Sequence, residues 1–125
     1  MTARIFTDCE AGTTGLQIRA RLERRDDLEI VSLPEEKRKN ADARTELLNA
    51  VDLAFLCLPD DAAREAAASV KSPNVRLIDA STAHRVAEDW TYGFPEYDAT
   101  QADAIRSSKR VANPGCYALT SVAIL

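Results

Sequence analysis

The segment ARIFTDCEAGTTGLQ, residues 3–17, joins a short apolar run to an amphipathic one through a loop that holds two glycines. Residues 3–7 are typical of a strand, and residues 16–25 have the apolar spacing of a helix. Residues 28–33 predict a second strand, because their β-branched content suits burial in a sheet. The segment therefore predicts a first βαβ unit, with both glycines between its first strand and its helix.

The same alternation continues along the chain. Further strands are predicted at residues 51–58, 75–80 and 110–112, and helices over residues 40–49, 60–71, 99–107 and from 116 onward. The strand at 51–58 is nearly all apolar, which favours a parallel sheet covered on both faces. Helices of about ten residues between strands imply right-handed crossovers. We expect an α/β fold, a doubly wound, Rossmann-like parallel sheet with helices on both faces.

Composition narrows the classes of protein. The 125 residues are 46% apolar and 29% charged, which is typical of one globular domain. A net charge of −4 disfavours nucleic acid as the main partner. No apolar run approaches the roughly 20 residues that cross a bilayer, and the start lacks a signal-peptide pattern. We expect a cytoplasmic protein that contacts neither nucleic acid nor membrane.

The three cysteines, Cys9, Cys57 and Cys116, are odd in number and lack C-x-x-C spacing. Neither a disulfide framework nor a metal site is expected. Each cysteine therefore has to be interpreted by itself. Cys57 lies inside an apolar strand and fits a buried, inert role.

The loop after the first strand has the features of a diphosphate site. Glycines let the backbone approach a diphosphate, and the following helix offers N–H groups and a partial positive charge. A tight turn with close helix packing is the alternative. Cys9 stands where a third glycine would complete the pattern. The predicted dinucleotide contacts are Gly12, Thr13, Thr14, Gly15 and Leu16.

The loop after the second strand carries three consecutive basic residues, Lys37 to Lys39. An NAD-binding protein usually has an acidic residue near this position, so the basic run favours the 2′-phosphate of NADP. Arg38 is taken as the residue that contacts the cofactor, while the sequence leaves Lys37 and Lys39 as alternatives. Glu35 and Glu36 leave open the alternative of a solvated charged loop.

Two more loops lie at the same predicted edge. Leu58 and Pro59 follow the third strand, where the nicotinamide end of a cofactor would rest, although they also suit a strand end and a helix start. The loop after the fourth strand, residues 79–85 (DASTAHR), combines acidic, hydroxyl, imidazole and guanidinium groups. A single histidine such as His84 is more often structural than catalytic. Arg85 either binds an anion or pairs with Asp79.

The segment VANPGCYAL, residues 111–119, predicts a nucleophile. Pro114 and Gly115 force a turn that places Cys116 in the first turn of a helix. The helix dipole and N–H groups there stabilise a thiolate, which is the nucleophilic form of the residue. A buried, inert cysteine is the alternative, and it fits Cys116 less well than Cys57.

Four motifs together resemble a known family. They are Gly12 to Gly15, residues 79–85, the YGFPE stretch at 92–96 and NPGCY at 113–117. In this order and at these intervals they resemble the shorter form of N-acetyl-gamma-glutamyl-phosphate reductase, across almost the whole chain. Aspartate-semialdehyde dehydrogenase has the same plan but matches less well around Cys116.

The resemblance implies an NADP-dependent reductase of arginine biosynthesis that converts an acyl phosphate to the semialdehyde. Cys116 matches the nucleophile that forms a thioester, and Gly12 to Gly15 match the diphosphate loop. Leu58 and Pro59 match the segment beside the nicotinamide, and Ser81 falls in a motif near that pocket. The resemblance also implies a homo-oligomer for the full-length enzyme.

The chain differs from that family in two respects. Cys9 stands where the family has a glycine, and the chain does not continue as far as the family's chains do. Family members continue past the nucleophile into a substrate domain that supplies the catalytic histidine, and nothing here matches it. Residues 1–115 are expected to form the dinucleotide-binding domain and 116–125 the start of the helix that leads toward that absent domain. We therefore expect this chain alone to bind dinucleotide without turnover. A non-catalytic dinucleotide-binding or redox-sensing module remains the alternative, whereas the basic run and the Asn-Pro-Gly-Cys turn disfavour a flavodoxin-like signalling domain.

Overall fold

A computed structural model describes residues 2–8 and 12–124 of the chain. Six parallel strands form one sheet, in the order β2-β1-β3-β4-β6-β5. The strands are β1 (Ala3–Asp8), β2 (Leu28–Val31), β3 (Leu53–Leu56), β4 (Arg76–Asp79), β5 (Thr91–Tyr92) and β6 (Arg110–Ala112). The predicted doubly wound parallel sheet is confirmed.

Within the described residues, four α-helices lie between strands and a fifth follows β6, together with 3-10 turns at Glu35–Lys37 and Pro95–Tyr97. The helices are α1 (Thr13–Leu22), α2 (Ala41–Leu48), α3 (Asp60–Ser69), α4 (Gln101–Ser107) and α5 (Cys116–Ile124). Right-handed crossovers and the strand order put α2 and α3 on one face of the sheet and α1 on the other. The contact between α2 and α3 agrees with this arrangement.

Local sequence accounts for where the helices begin. The Asn40 side chain accepts a hydrogen bond from the Ala43 N–H at 3.0 Å and so caps α2. Pro59 stands immediately before α3, whose first turn carries Asp60 and Asp61 and therefore complements the positive end of the helix dipole.

The core lies between the sheet and the helices α2 and α3. Every residue of β3 is at least partly buried, and Ala54 and Leu56 are fully buried. Alanines on one face of α3, such as Ala63 and Ala67, let this helix approach the sheet closely. The loops at the carboxyl ends of the strands therefore start from a sheet that is packed against helices.

Candidate functional site

The carboxyl ends of four strands lie level with one another. The register pairs Asp8 of β1 with Leu56, Leu56 with Asp79 of β4, and Asp79 with Ala112 of β6. The loops after these strands therefore begin at one edge of the sheet. The chain order reverses between β1 and β3, and the crevice at such a reversal is where doubly wound sheets bind ligands.

The loop after β1 leads into α1, but Gly15 lies inside this helix and not before it as predicted, because α1 begins at Thr13 rather than at residue 16. Gly12 precedes the helix in an extended conformation and provides no side-chain cap, while its carbonyl accepts from the Leu16 N–H at 2.9 Å. Gly15 is buried, whereas Thr13, Thr14 and Leu16 are exposed. The first-turn N–H groups of a helix have no intrahelical partner, so a diphosphate at this end fits the geometry. Cys9 lies outside the described residues.

The basic run after β2 forms a short, exposed turn. Lys37 ends the 3-10 turn, Arg38 follows it directly, and Arg38 is exposed. The structure adds a contact that the sequence did not suggest, because Arg19 of α1 donates to the Ser32 hydroxyl at 3.0 Å, just beyond the end of β2. A cation from α1 therefore lies at the edge where a ribose would be bound.

Asp79 holds the loop after β4 in shape. Its buried carboxylate accepts from the Ser81 N–H at 2.9 Å and from the Ser81 hydroxyl at 2.8 Å. The same carboxylate contacts His84 Nδ1 at 2.5 Å. The His84 ring stacks on Trp90 with 4.0 Å between ring centroids, and the Arg110 guanidinium lies 5.6 Å from the Trp90 centroid. His84 is thus held between the Asp79 carboxylate and the Trp90 ring.

The loops after β3 and β4 are joined by Asp60. Its carboxylate accepts from the Thr82 N–H at 3.0 Å and from the Thr82 hydroxyl. The hydrogen bond from the Thr82 side chain holds the pKa of Asp60 below its usual value. Leu58 and Pro59 lie just before this junction, and Ser81 lies just before Thr82. The predicted nicotinamide contacts are therefore neighbours in space.

Cys116 is the first residue of α5 and an exposed, free thiol. The Gly115 carbonyl accepts the first helical hydrogen bond, from Leu119 at 2.8 Å. Arg85 donates a hydrogen bond to the Asn113 carbonyl at 3.2 Å rather than to Asp79. Its side chain passes close to Gly115, where an added Cβ would lie 2.9 Å from Arg85 Cζ. A cation therefore lies directly beside the start of the cysteine-bearing helix.

The YGFPE stretch also approaches β6 closely. The Gly93 N–H donates to the Ala112 carbonyl at 2.8 Å, and a Cβ on Gly93 would lie 3.0 Å from that oxygen. An open apolar hollow of about 570 Å³ lies between this stretch and α5, lined by residues that include Phe94, Pro114 and Leu119. The hollow borders the helix that begins at Cys116.

Two kinds of site find no support in the part of the chain that the structure describes. No group of three or more His, Cys, Asp or Glu residues there is placed to hold a metal ion. No helix there is long and apolar enough to span a membrane.

The fold and its edge define the class of protein, a dinucleotide-binding α/β domain of the Rossmann type with an exposed cysteine at its last helix. The family model described as "Semialdehyde dehydrogenase, NAD binding domain" matches residues 29–105. The chain belongs to this family.

Curated relatives agree with the resemblance predicted from the motifs. The chain is 59% identical over 125 residues to "N-acetyl-gamma-glutamyl-phosphate reductase" of Chelativorans sp. (strain BNC1), covering 100% of this chain and 40% of that protein. It is 57% identical over 126 residues to the protein of the same name from Rhizobium meliloti (strain 1021), of which it covers 41%. The chain thus spans about two-fifths of the length of these relatives, and the predicted resemblance is confirmed.

Solved structures show the same fold at low identity. Aspartate semialdehyde dehydrogenase II from Vibrio cholerae, complexed with ASA, superposes with a TM-score of 0.67 at 17% identity, over 98% of this chain and 44% of that chain. Aspartate semialdehyde dehydrogenase from Francisella tularensis gives a TM-score of 0.66 at 14% identity, over 91% of this chain and 36% of the other. At these identities the likeness concerns the fold alone.

Proposed function

We propose that the chain is the cofactor-binding portion of an NADP-dependent N-acetyl-gamma-glutamyl-phosphate reductase that acts through a thioester on Cys116. The observation that carries the proposal is 59% identity across the whole chain, including the start of the helix on which Cys116 lies. In this assignment residues 1–115 form the dinucleotide-binding domain, and residues 116–125 begin the helix that leads toward a substrate domain.

Different residues at the carboxyl edge of the sheet would contact different parts of the cofactor. The diphosphate would lie on the loop and first turn of α1, formed by Gly12, Thr13, Thr14, Gly15 and Leu16. Arg38 would contact the 2′-phosphate, because an exposed guanidinium binds phosphate well in a two-pronged geometry. Leu58, Pro59 and Ser81 would border the nicotinamide. When bound, this cofactor supplies the hydride for reduction of an acyl group to an aldehyde.

Cys116 would act as the catalytic nucleophile. Its thiolate attacks the acyl carbon, so that a carbon–sulfur bond forms while the bond from that carbon to the phosphate oxygen breaks and inorganic phosphate leaves. Reduction of the thioester to the semialdehyde returns the thiolate. Cys116 stands at the start of α5, and its exposed position would admit the substrate.

Arg85 would receive the phosphate of the substrate. Its guanidinium lies over Gly115, one residue from the nucleophile, and one of its nitrogens is tied to the Asn113 carbonyl at 3.2 Å. A guanidinium fixed in this way offers its remaining N–H groups to an anion at low entropic cost. The leaving phosphate would then depart from a site that is already positively charged.

The cellular setting follows from the same assignment. Because a thiol nucleophile has to remain reduced, the proposed activity suits the cytoplasm. The reaction would belong to arginine biosynthesis. The free thiol of Cys116 fits that compartment. For the full-length enzyme we expect a homo-oligomer, and for this chain by itself we expect dinucleotide binding without turnover.

A chimeric enzyme tests the proposal directly. This chain replaces the matched 125 residues of the Chelativorans reductase, and NADPH consumption is followed at 340 nm with the acyl phosphate as substrate. We expect turnover that requires NADPH and disappears in a Cys116→Ser chimera, with NADPH binding unchanged. Turnover that survives Cys116→Ser would exclude the thioester. Normal folding and NADPH binding without any turnover would favour a non-catalytic binding module.

A further inference from the structure

A buried ion pair joins α2 to the end of β1. Arg44 Nη2 donates to Asp8 Oδ2 at 2.7 Å, and the Asp8 and Arg44 side chains are 6% and 27% exposed. The two residues are 36 positions apart in sequence. The contact therefore connects two elements that flank the dinucleotide edge from different parts of the chain.

Asp8 occupies a position where its negative charge would repel the phosphates of a bound dinucleotide. It is the last residue of β1, at the carboxyl edge of the sheet, and the chain runs from it into the predicted diphosphate loop. A buried carboxylate has little water to screen it, so it repels a nearby diphosphate much more strongly than an exposed one would. An uncompensated Asp8 would therefore weaken dinucleotide binding.

Stability by itself does not account well for the position of Arg44. Its Nε is buried and has no hydrogen-bond partner in the part of the chain that the structure describes. A buried donor without a partner costs free energy, and buried ion pairs often stabilise a fold no more than apolar residues would. The arrangement is better explained by what Arg44 does for the charge of Asp8.

We propose that Arg44 is a positioning residue for the dinucleotide, which acts by cancelling the charge of Asp8 at the carboxyl end of β1. Arg44 lies on α2, which begins at Ala41, two positions after the basic run of Lys37 to Lys39 that contains the predicted 2′-phosphate contact Arg38. The same helix thus links the two loops that receive cofactor phosphates. The inference rests on dinucleotide binding by this chain and not on the reaction at Cys116.

Three variants of the 125-residue chain separate charge cancellation from simple bracing. NADPH affinity is measured by fluorescence titration for Arg44→Gln, Asp8→Asn and the double variant, with folding checked by circular dichroism. If Arg44 cancels the charge of Asp8, the Arg44→Gln variant binds NADPH about tenfold more weakly than the wild type. A loss of about this size is expected when one buried negative charge near the ligand is left uncompensated. Asp8→Asn binds at least as tightly as the wild type. The double variant recovers the affinity lost in Arg44→Gln.

Arg64→Gln is the matched control, because it removes a guanidinium from an exposed ion pair with Asp61 on α3. Its NADPH affinity should equal that of the wild type. If Arg44 only braces the fold, Asp8→Ala, which removes the contact altogether, loses as much affinity as Arg44→Gln, and the proposal is wrong. Charge cancellation instead predicts that Asp8→Ala binds NADPH at least as tightly as the wild type. Equal affinity of Arg44→Gln and wild type also overturns it. Absence of NADPH binding by the wild type would instead contradict the proposed function.

Discussion

Gly115 is the residue whose size decides where the Arg85 side chain can lie. In Gly115→Ala the new Cβ would lie 2.9 Å from Arg85 Cζ, so the guanidinium has to move. Because the obstructing atoms are the far end of a flexible side chain, we expect a stability loss of only about 1 kcal/mol. In the chimeric enzyme we expect kcat/KM to fall about tenfold, since roughly one charge-assisted contact to phosphate is lost.

The measurement pairs thermal unfolding with steady-state kinetics. Ala118→Gly is a suitable control, because it alters an exposed position on the same helix. Unchanged kcat/KM in Gly115→Ala would show that Arg85 does not serve the reaction from its observed position.

Ser81 is expected to matter for the loop as well as for the cofactor. Its buried hydroxyl donates to Asp79 at 2.8 Å and accepts from the Ala83 N–H at 3.2 Å. We expect Ser81→Ala to lower the free energy of unfolding by roughly 1.5–3 kcal/mol, as is typical for a hydrogen bond to a charged group. Urea denaturation measures this loss, and Ser107→Ala on the exposed face of α4 is the control. A loss no larger than in Ser107→Ala would contradict the expected role of Ser81 in this loop.

At the scale of elements, the start of α3 gives the protein a defined sensitivity to acid. Hydrogen bonding from Thr82 lowers the pKa of Asp60 from its usual 3.8. A lowered folded-state pKa stabilises the fold fully above the unfolded value, and the stabilisation is lost as the pH falls through the folded value. The stability advantage of wild type over Asp60→Asn should therefore be constant at neutral pH and shrink below 3.8.

Urea denaturation of both proteins between pH 7 and pH 3 measures this difference. Asp61→Asn is the neighbouring control, because the Asp61 carboxylate is 97% exposed. A stability difference between wild type and Asp60→Asn that stays constant across this pH range would show that the Asp60–Thr82 contact is not formed in solution.

Most helices and strands could be predicted from the local sequence pattern. Their first and last residues could not. The strand predicted at residues 110–112 is observed as β6, and the helix predicted over residues 40–49 is observed as α2, Ala41–Leu48. The predicted strand at 51–58 shortens to β3, Leu53–Leu56, because apolar residues continue into the turns on either side. β5 was missed, since two residues, Thr91–Tyr92, carry no periodicity and pair only because β6 lies beside them.

At the scale of the whole molecule, cofactor binding should stabilise the fold and discriminate between the two nicotinamide dinucleotides. A ligand present at 100 times its Kd adds about 2.7 kcal/mol to the free energy of unfolding. We expect NADPH to raise the melting temperature more than the same concentration of NADH. Arg38→Gln should narrow that difference mainly by weakening NADPH binding. An equal or larger shift with NADH in the wild type would show that the basic turn does not recognise the 2′-phosphate.

The loops of the candidate site could be predicted from the sequence, whereas the contacts that hold these loops in place could not. The position of Cys116 at a helix start follows from the Pro114-Gly115 turn, which is local information. The Asp8–Arg44 pair and the Arg19–Ser32 contact join residues brought together only by the sheet order. Nothing in the spacing of such residues marks them in a single sequence, because tertiary pairing of polar side chains has no period.

The stacking of His84 on Trp90 gives the protein an optical reporter at its functional edge. Trp90 is the single tryptophan of the chain and is 8% exposed. Indole emission depends on the polarity and the neighbours of the ring, so fluorescence from this protein reports one place, the loop that carries Ser81, His84 and Arg85. Ligands that order or loosen that loop will change the emission without any introduced label, and rapid mixing can then measure how fast the loop responds to a ligand.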